Sequence, residues 1–239
     1  MTIITPDNKL ADVVLRNYHL IPVINRFGIE LGFGDKKISE ICRDCQIDAD
    51  FFAALLNTIS YESYFSDKSL NASNTLQLID YLKMTLANYQ ESQLNVIEIH
   101  IRQLSDSSPV PNEHLRLIEN FFAQFKTEFR QYTDSVNKEV FKPVTVIYEV
   151  YSGKEPHFSK NFKSPDFDAF QYKTGRLTDK LSDMKSLLVK YLTGTFDRRI
   201  RNAIIYIIAR FEVDIHNYMR LQYRLLKPMT KEMQAKFQS

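Results

Sequence analysis

Residues 79–100 read IDYLKMTLANYQESQLNVIEIH, and this stretch decides the fold class. Seven of its residues follow one another at alternating intervals of three and four, and we call such a row a seam. They are Ile79, Leu82, Leu86, Tyr89, Gln93, Val96 and His100. That interval is the period of an α-helix and not of a β-strand. The stretch therefore predicts a long helix with one buried stripe.

Three later segments carry seams of the same kind. The second seam is Ile118, Phe122, Phe125, Phe129, Tyr132, Val136 and Val140; the third is Phe170, Thr174, Leu177, Leu181, Met184, Leu188 and Tyr191; the fourth is Ile200, Ile204, Ile207, Phe211, Ile215, Tyr218, Gln222, Leu225 and Met229. Four such stripes can be buried only against one another, which predicts a four-helix bundle. Pro143, just after the second seam, predicts a kink or a break there.

The N-terminal part of the chain predicts shorter helices, at about 10–18, 20–27, 37–45 and 48–61. Asp48 and Asp50 suit the N-terminal end of the last of these helices. The polar residues 62–74 predict a linker. We therefore predict an all-α protein with a small helical domain, 1–62, and a four-helix bundle domain, 74–239.

Composition excludes several classes of protein. The chain has 239 residues and a formal net charge of +2, from 31 basic and 29 acidic residues, so its overall field attracts neither nucleic acid nor membrane. Its densest apolar run, 203–209, is far shorter than a membrane span of about 20 residues. With two cysteines and no evident signal peptide, we expect a cytoplasmic protein.

A family resemblance rests on several short motifs. Residues 27–42, FGIELGFGDKKISEIC, are similar to the small N-terminal domain of the iron-sulfur-cluster repair di-iron proteins, where a Phe-Gly-Ile run leads into paired cysteines. Gly32 and Phe33 replace those cysteines here. Downstream, LIDYL (78–82), VFKP (140–143), LLVKYL (187–192) and LLKPMTKEM (225–233) resemble landmarks of that family's hemerythrin-like domain. The resemblance implies a hemerythrin-like four-helix bundle.

The resemblance also implies where iron ligands would stand. The family holds two irons with histidines and carboxylates, in patterns such as histidine, three residues, glutamate, and then a proline six residues on. The matching positions are Thr133 and Asn137 before Pro143, and Tyr218 and Gln222 before Pro228. The expected histidines of the first and third helices correspond to Leu86 and Thr174. Every position that can be aligned has lost its ligand.

These replacements predict that the chain binds no metal and no other cofactor. Of the replacing side chains only Tyr218 could ligate iron, and one phenolate cannot hold two metal ions. Because buried polar groups need partners, we expect a neutral hydrogen-bonded cluster of Thr133, Asn137, Thr174, Tyr218 and Gln222. The alternatives are a small-molecule pocket in the former metal cavity and an unusual metal.

Other chemical signals are weak. Cys42 and Cys45 form a C-x2-C pair, but a structural zinc needs two further ligands with suitable spacing, so we interpret the pair as core packing or an idle thiol. The five histidines are scattered along the sequence, so we expect each to lie on the surface or in the core and not at a metal site. No motif predicts a catalytic residue. Basic residues on the fourth helix are interpreted as a solvated face: Arg198, Arg199, Arg201, Arg220, Arg224, Lys227 and Lys231.

The leading hypothesis is a non-catalytic regulatory or scaffold protein that acts through a protein partner or as a homodimer. We expect the N-terminal domain to dock, because Phe33, Phe51 and Phe52 are expected to be exposed. One alternative is an iron-sulfur-cluster repair or stress-response protein with residual metal or ligand binding. Another is a DNA-binding regulator with a helix-turn-helix at 37–59, although its second helix begins at Asp48 and holds no lysine or arginine for phosphate contacts.

Overall fold

The structure, a computed structural model, describes residues 3–64, 72–108, 112–155, 157–159, 161–193 and 196–237. Within these ranges every regular element is a helix, and the extended pairing is limited to an isolated bridge between Lys9 and Lys37. The predicted all-α fold class is therefore confirmed. None of the described helices combines the length and the apolar character that a membrane crossing requires.

The chain divides into two units, each built from separate stretches of sequence. The first contains Met1–Met84, Lys142–Ser164 and Arg220–Ser239, and the second contains Thr85–Phe141 and Pro165–Met219. The units show which segments pack together and do not test which segments fold alone, so the domains 1–62 and 74–239 stay a prediction. Most of the expected linker at 62–74 lies outside the described residues.

The first unit begins with four short helices. They are α1 (Leu10–Arg16), α2 (Ile21–Arg26), α3 (Ile38–Asp44) and α4 (Ala49–Ser60), with a 3₁₀ turn at Tyr18–Leu20. As predicted, Asp48 caps α4, since its carboxylate accepts a hydrogen bond from the Phe51 backbone N–H at 2.8 Å. The sequence thus located these helices to within a few residues.

Helix α4 is buried on every side. Each of residues 51–59 is buried, and Phe51 and Phe52 are both 0% exposed. The prediction that these two rings are exposed is therefore wrong, and Phe33 is half-buried. The physical reason is the composition of α4, whose run FFAALL leaves no polar face, so that the helix is stable only with protein all around it.

Two arginines from far along the chain hold the carboxyl end of α4 and the segment that follows it. Arg220 donates hydrogen bonds to the carbonyl oxygens of Ile59 and Thr58, at 2.9 and 3.5 Å. Arg224 donates to the carbonyl oxygens of Glu62 and Tyr64. The interpretation of these two arginines as a solvated face is therefore wrong, because both donate to backbone carbonyl oxygens, and Arg220 also neutralises the negative end of the α4 dipole.

The rest of the chain forms long helical runs. Their α-helical parts are α5 (Asn74–Asn88), α6 (Leu94–Asp106), α7 (Glu113–Val136), α8 (Lys142–Tyr151), α9 (Phe167–Lys190), α10 (Arg198–Leu221) and α11 (Lys227–Ala235). Three π-helical turns join consecutive helices without a break: Tyr89–Gln93, Asn137–Phe141 and Gln222–Leu226.

Two of the π turns are explained by prolines. Asn137–Phe141 ends two residues before Pro143, and Gln222–Leu226 ends two residues before Pro228. Proline has no N–H to donate, and its ring clashes with the carbonyl of the preceding turn. Widening that turn removes the clash while the chain stays helical. The kink or break expected at Pro143 is thus a π turn in an uninterrupted helical run.

The π turn at Tyr89–Gln93 changes which residues are buried in the first long run. The buried face follows the predicted seam as far as Tyr89 and then continues through Leu94, Ile97, Ile101 and Leu104. Val96, predicted to be on the seam, is 36% exposed, and His100 is half-buried. Since a π turn holds one residue more than an α turn, it shifts the later positions by one.

Lysine–glutamate pairs join neighbouring helices of the second unit. They are Lys126–Glu98 between α7 and α6, Lys180–Glu128 between α9 and α7, and Lys185–Glu212 between α9 and α10. The three lysine side chains are only about one-quarter exposed. Each pair adds little stability by itself, but each joins a different pair of helices, so together they favour one arrangement of neighbours.

We predict that Arg220→Ala lowers the free energy of unfolding by about 1.5–3 kcal/mol, because two buried carbonyl oxygens lose a charged donor. Urea unfolding followed by circular dichroism measures the change. Arg210→Ala is the matched control on the same helix, since Arg210 is exposed, and we expect a change within about 0.5 kcal/mol. Equal effects of the two substitutions would contradict the capping role.

Candidate functional site

Aromatic rings fill the interior of the second unit. The Tyr89 ring lies at the centre, with centroid distances of 5.0 Å to Phe211, 6.0 Å to Phe129 and 6.4 Å to Tyr218. All four side chains are at most 2% exposed. The rings of Phe211, Phe129 and Tyr218 each meet Tyr89 nearly edge to face, an arrangement that attracts the positive ring edge to the negative ring face. We call these four residues the ring cluster.

A hydroxyl network lies in the same unit and shares Tyr218 with the ring cluster. The Thr174 hydroxyl oxygen lies 2.8 Å from both the Tyr132 phenol oxygen and the Phe170 carbonyl oxygen, and its single proton bonds to one of them at a time. Tyr218 forms a second hydrogen bond with the Tyr132 phenol. Burial raises the pKa of Tyr132 to about 12, while the hydrogen bonds with Thr174 and Tyr218 act in the opposite direction. Tyr132 therefore keeps its proton at physiological pH.

The structure brings only part of the predicted cluster together. Thr174 and Tyr218 both bond to Tyr132. Thr133 is buried but donates to the Phe129 carbonyl oxygen of its own helix at 3.0 Å. Asn137 is half-buried at the start of a π turn. Tyr132, which the sequence marked only as a seam residue, takes the central place that we had expected the other residues to share.

Two further predicted positions complete this set. Leu86 is 1% exposed in the second unit and contributes only apolar surface there. Gln222 is 5% exposed and belongs to the first unit, where it begins a π turn. Asn137 and Gln222 thus share one structural role, the first residue of a π turn that precedes a proline. The interpretation of all these positions as former iron ligands stays a prediction.

The side chains of this interior do not suit a metal ion. In the part of the chain that the structure describes, no group of three or more histidine, cysteine, aspartate or glutamate residues lies close enough together to hold one. Phenol, hydroxyl and hydrocarbon groups surround the centre instead, and Tyr132 keeps its proton up to high pH. Such a set supplies little charge to neutralise iron and little imidazole to bind it.

The N-terminal motif positions belong to the first unit. Gly32 and Phe33 follow α2 in a loop, where Gly32 is exposed and has a φ of +100°, a left-handed conformation that glycine adopts most easily. Cys42 is buried in α3, and burial raises the pKa of its thiol to about 12. Cys45 is exposed just after the helix. A buried, protonated thiol is inert, so Cys42 fits the predicted core-packing role.

We predict that Tyr132→Phe lowers the free energy of unfolding by about 1–3 kcal/mol, because Thr174 and Tyr218 lose a buried partner. Tyr172→Phe on α9 is the matched control, since Tyr172 is 71% exposed, and it should change stability by less than about 0.5 kcal/mol. Urea unfolding measures both variants. A Tyr132→Phe protein as stable as the control would show that the network contributes nothing.

The raised pKa of Tyr132 also predicts a loss of stability in alkali. Its phenol is harder to ionise in the folded chain than in the unfolded chain, whose tyrosine pKa is about 10. Its contribution is fully present below pH 10 and is lost as the pH rises toward 12, the pKa of folded Tyr132. The free energy of unfolding, measured across this pH range, should fall less steeply for Tyr132→Phe than for the wild type. If the free energy of unfolding falls equally steeply with pH in both proteins, the raised pKa of Tyr132 is contradicted.

Comparison with known proteins does not place the chain in a family. No protein-family model matches it, and a search of curated proteins gives no significant match. The similarity to the iron-sulfur-cluster repair proteins therefore rests on the sequence motifs alone and stays a prediction.

Proposed function

We propose that the chain is a non-catalytic regulatory or scaffold protein, a hemerythrin-like bundle without its di-iron site, which acts through protein contacts. The observation that carries this proposal is the ring cluster. Buried rings fill the interior of the second unit, which supports a role as a frame over a role as a reaction chamber. Our proposal treats the bundle as a scaffold whose working surface is its outside.

The outer surface of the second unit supports contact with protein. Tyr172 on α9 is 71% exposed and Tyr206 on α10 is 74% exposed. Further exposed aliphatic side chains lie on α6, α7 and α9: Ile99, Leu117 and Val189. Tyrosine is enriched at the centres of protein interfaces because its ring is apolar and rigid while its hydroxyl can bond at the rim. These exposed groups favour a protein partner, a second copy of the chain included.

The burial of α4 weighs against a helix-turn-helix role. A recognition helix must present one face to the major groove, and its basic flanks must reach phosphates. Residues 51–59 of α4 are buried, and the helix holds no lysine or arginine. The DNA-binding alternative would require α4 to leave its packing, so we favour the scaffold proposal.

Metal analysis of the purified protein tests the proposal. We predict that protein expressed in iron-supplemented medium contains far less than one iron per chain, and that a chelator leaves its melting temperature unchanged, because the described residues form no ligand set for the metal. The proposal would be contradicted by about two irons per chain whose removal by a chelator lowers the melting temperature. That result would favour the repair-protein alternative.

A further inference from the structure

A pocket lies in the first unit, apart from the ring cluster. Its volume is about 230 Å³, smaller than the roughly 300–1,000 Å³ of sites for drug-sized ligands, so it suits a smaller molecule. The N-terminal segment, α1 and the end of α4 line it. Ile4 and Val13, which are 7% and 9% exposed, supply its apolar surface.

Hydrogen bonds preform the pocket. The Asn57 side chain holds Ile4 from both sides, accepting from its backbone N–H at 2.8 Å and donating to its carbonyl oxygen at 2.7 Å. Asn17 at the end of α1 donates to the Ser60 hydroxyl at the end of α4, at 3.3 Å. Because these bonds fix both walls, a ligand would bind without first ordering the chain.

Two opposite charges lie on the pocket wall without partners in the described structure. Asp12 and Arg16 are one helical turn apart on α1, and neither side chain forms a hydrogen bond or an ion pair with a described residue. Lys9, which also lines the pocket, already pairs with Asp35 at 3.2 Å. The wall therefore offers one carboxylate and one guanidinium, about 5–6 Å apart at their Cβ atoms.

Neutral donors accompany these charges. The Asn8 Oδ1 accepts from the Thr5 backbone N–H at 2.7 Å, which leaves the Asn8 amide N–H groups for a ligand. Ser60 accepts from Asn17 and keeps its own proton to donate. Of the charged groups, the Arg16 guanidinium suits a carboxylate, and the Asp12 carboxylate suits an ammonium group.

We propose that this pocket binds a small zwitterion of the α-amino-acid class with an apolar side chain. The ligand's ammonium group pairs with Asp12, its carboxylate pairs with Arg16, and its side chain lies against Ile4 and Val13. A ligand with only a negative charge would be repelled by the Asp12 carboxylate, and a ligand with only a positive charge would leave the Arg16 guanidinium without a partner. The proposal is independent of the scaffold function, since it rests on the first unit alone.

Titration of the full-length protein with L-leucine tests this proposal, with calorimetry or amide NMR shifts as the readout. The matched probes are 4-methylpentanoate, which lacks the ammonium group, and isoamylamine, which lacks the carboxylate. We expect saturable binding of L-leucine, and binding of both analogues at least roughly tenfold weaker, because each lacks one charged contact.

Variants locate the binding. Asp12→Asn and Arg16→Gln should each weaken L-leucine binding by roughly tenfold or more, while Arg43→Gln, at an exposed position on α3, should leave it unchanged. Both tested side chains are exposed, so circular dichroism should show native helix content in each variant. The proposal is overturned by the absence of saturable L-leucine binding, by equal binding of either analogue, or by binding that both variants retain.

Discussion

The packing of Tyr89 against Phe211, Phe129 and Tyr218 is the constraint on which the second unit depends. Rings are large and rigid, so the helices that carry them can approach only to the distance that the rings allow. The hydroxyl network then gives the buried hydroxyl groups of Thr174, Tyr132 and Tyr218 hydrogen-bond partners. Together they make an interior that is both filled and neutral.

The sequence predicted the helices well because their seams repeat with a helical period over many turns. It identified Asp48 as a helix cap, since that signal is local and chemical. It misplaced Val96 and His100 because one π turn shifts a whole face, and a π turn without a proline leaves no mark in the periodicity. The π turns before Pro143 and Pro228 could have been predicted from the prolines, but a kink or a break was expected only at Pro143.

Contacts between residues far apart in the chain could not be predicted from the sequence, for a different reason. Arg220 is about 160 residues from the carbonyl groups that it caps, and a basic residue on a helix looks the same whether it faces solvent or a helix end. Tyr132 was placed correctly on a buried seam, but its central role depends on a threonine from another helix. Likewise, α4 was predicted as a helix while the burial of its residues 51–59 was not, because burial depends on the elements around it.

The central claim is that rings, and not a cofactor, occupy the interior of the second unit. A crystal structure of protein grown with excess iron, with diffraction data collected at the iron absorption edge, tests this claim most directly. The account predicts continuous density for the rings of Tyr89, Phe129, Phe211 and Tyr218 and no anomalous peak among them. A strong anomalous peak between these helices, with the rings turned aside, would contradict it.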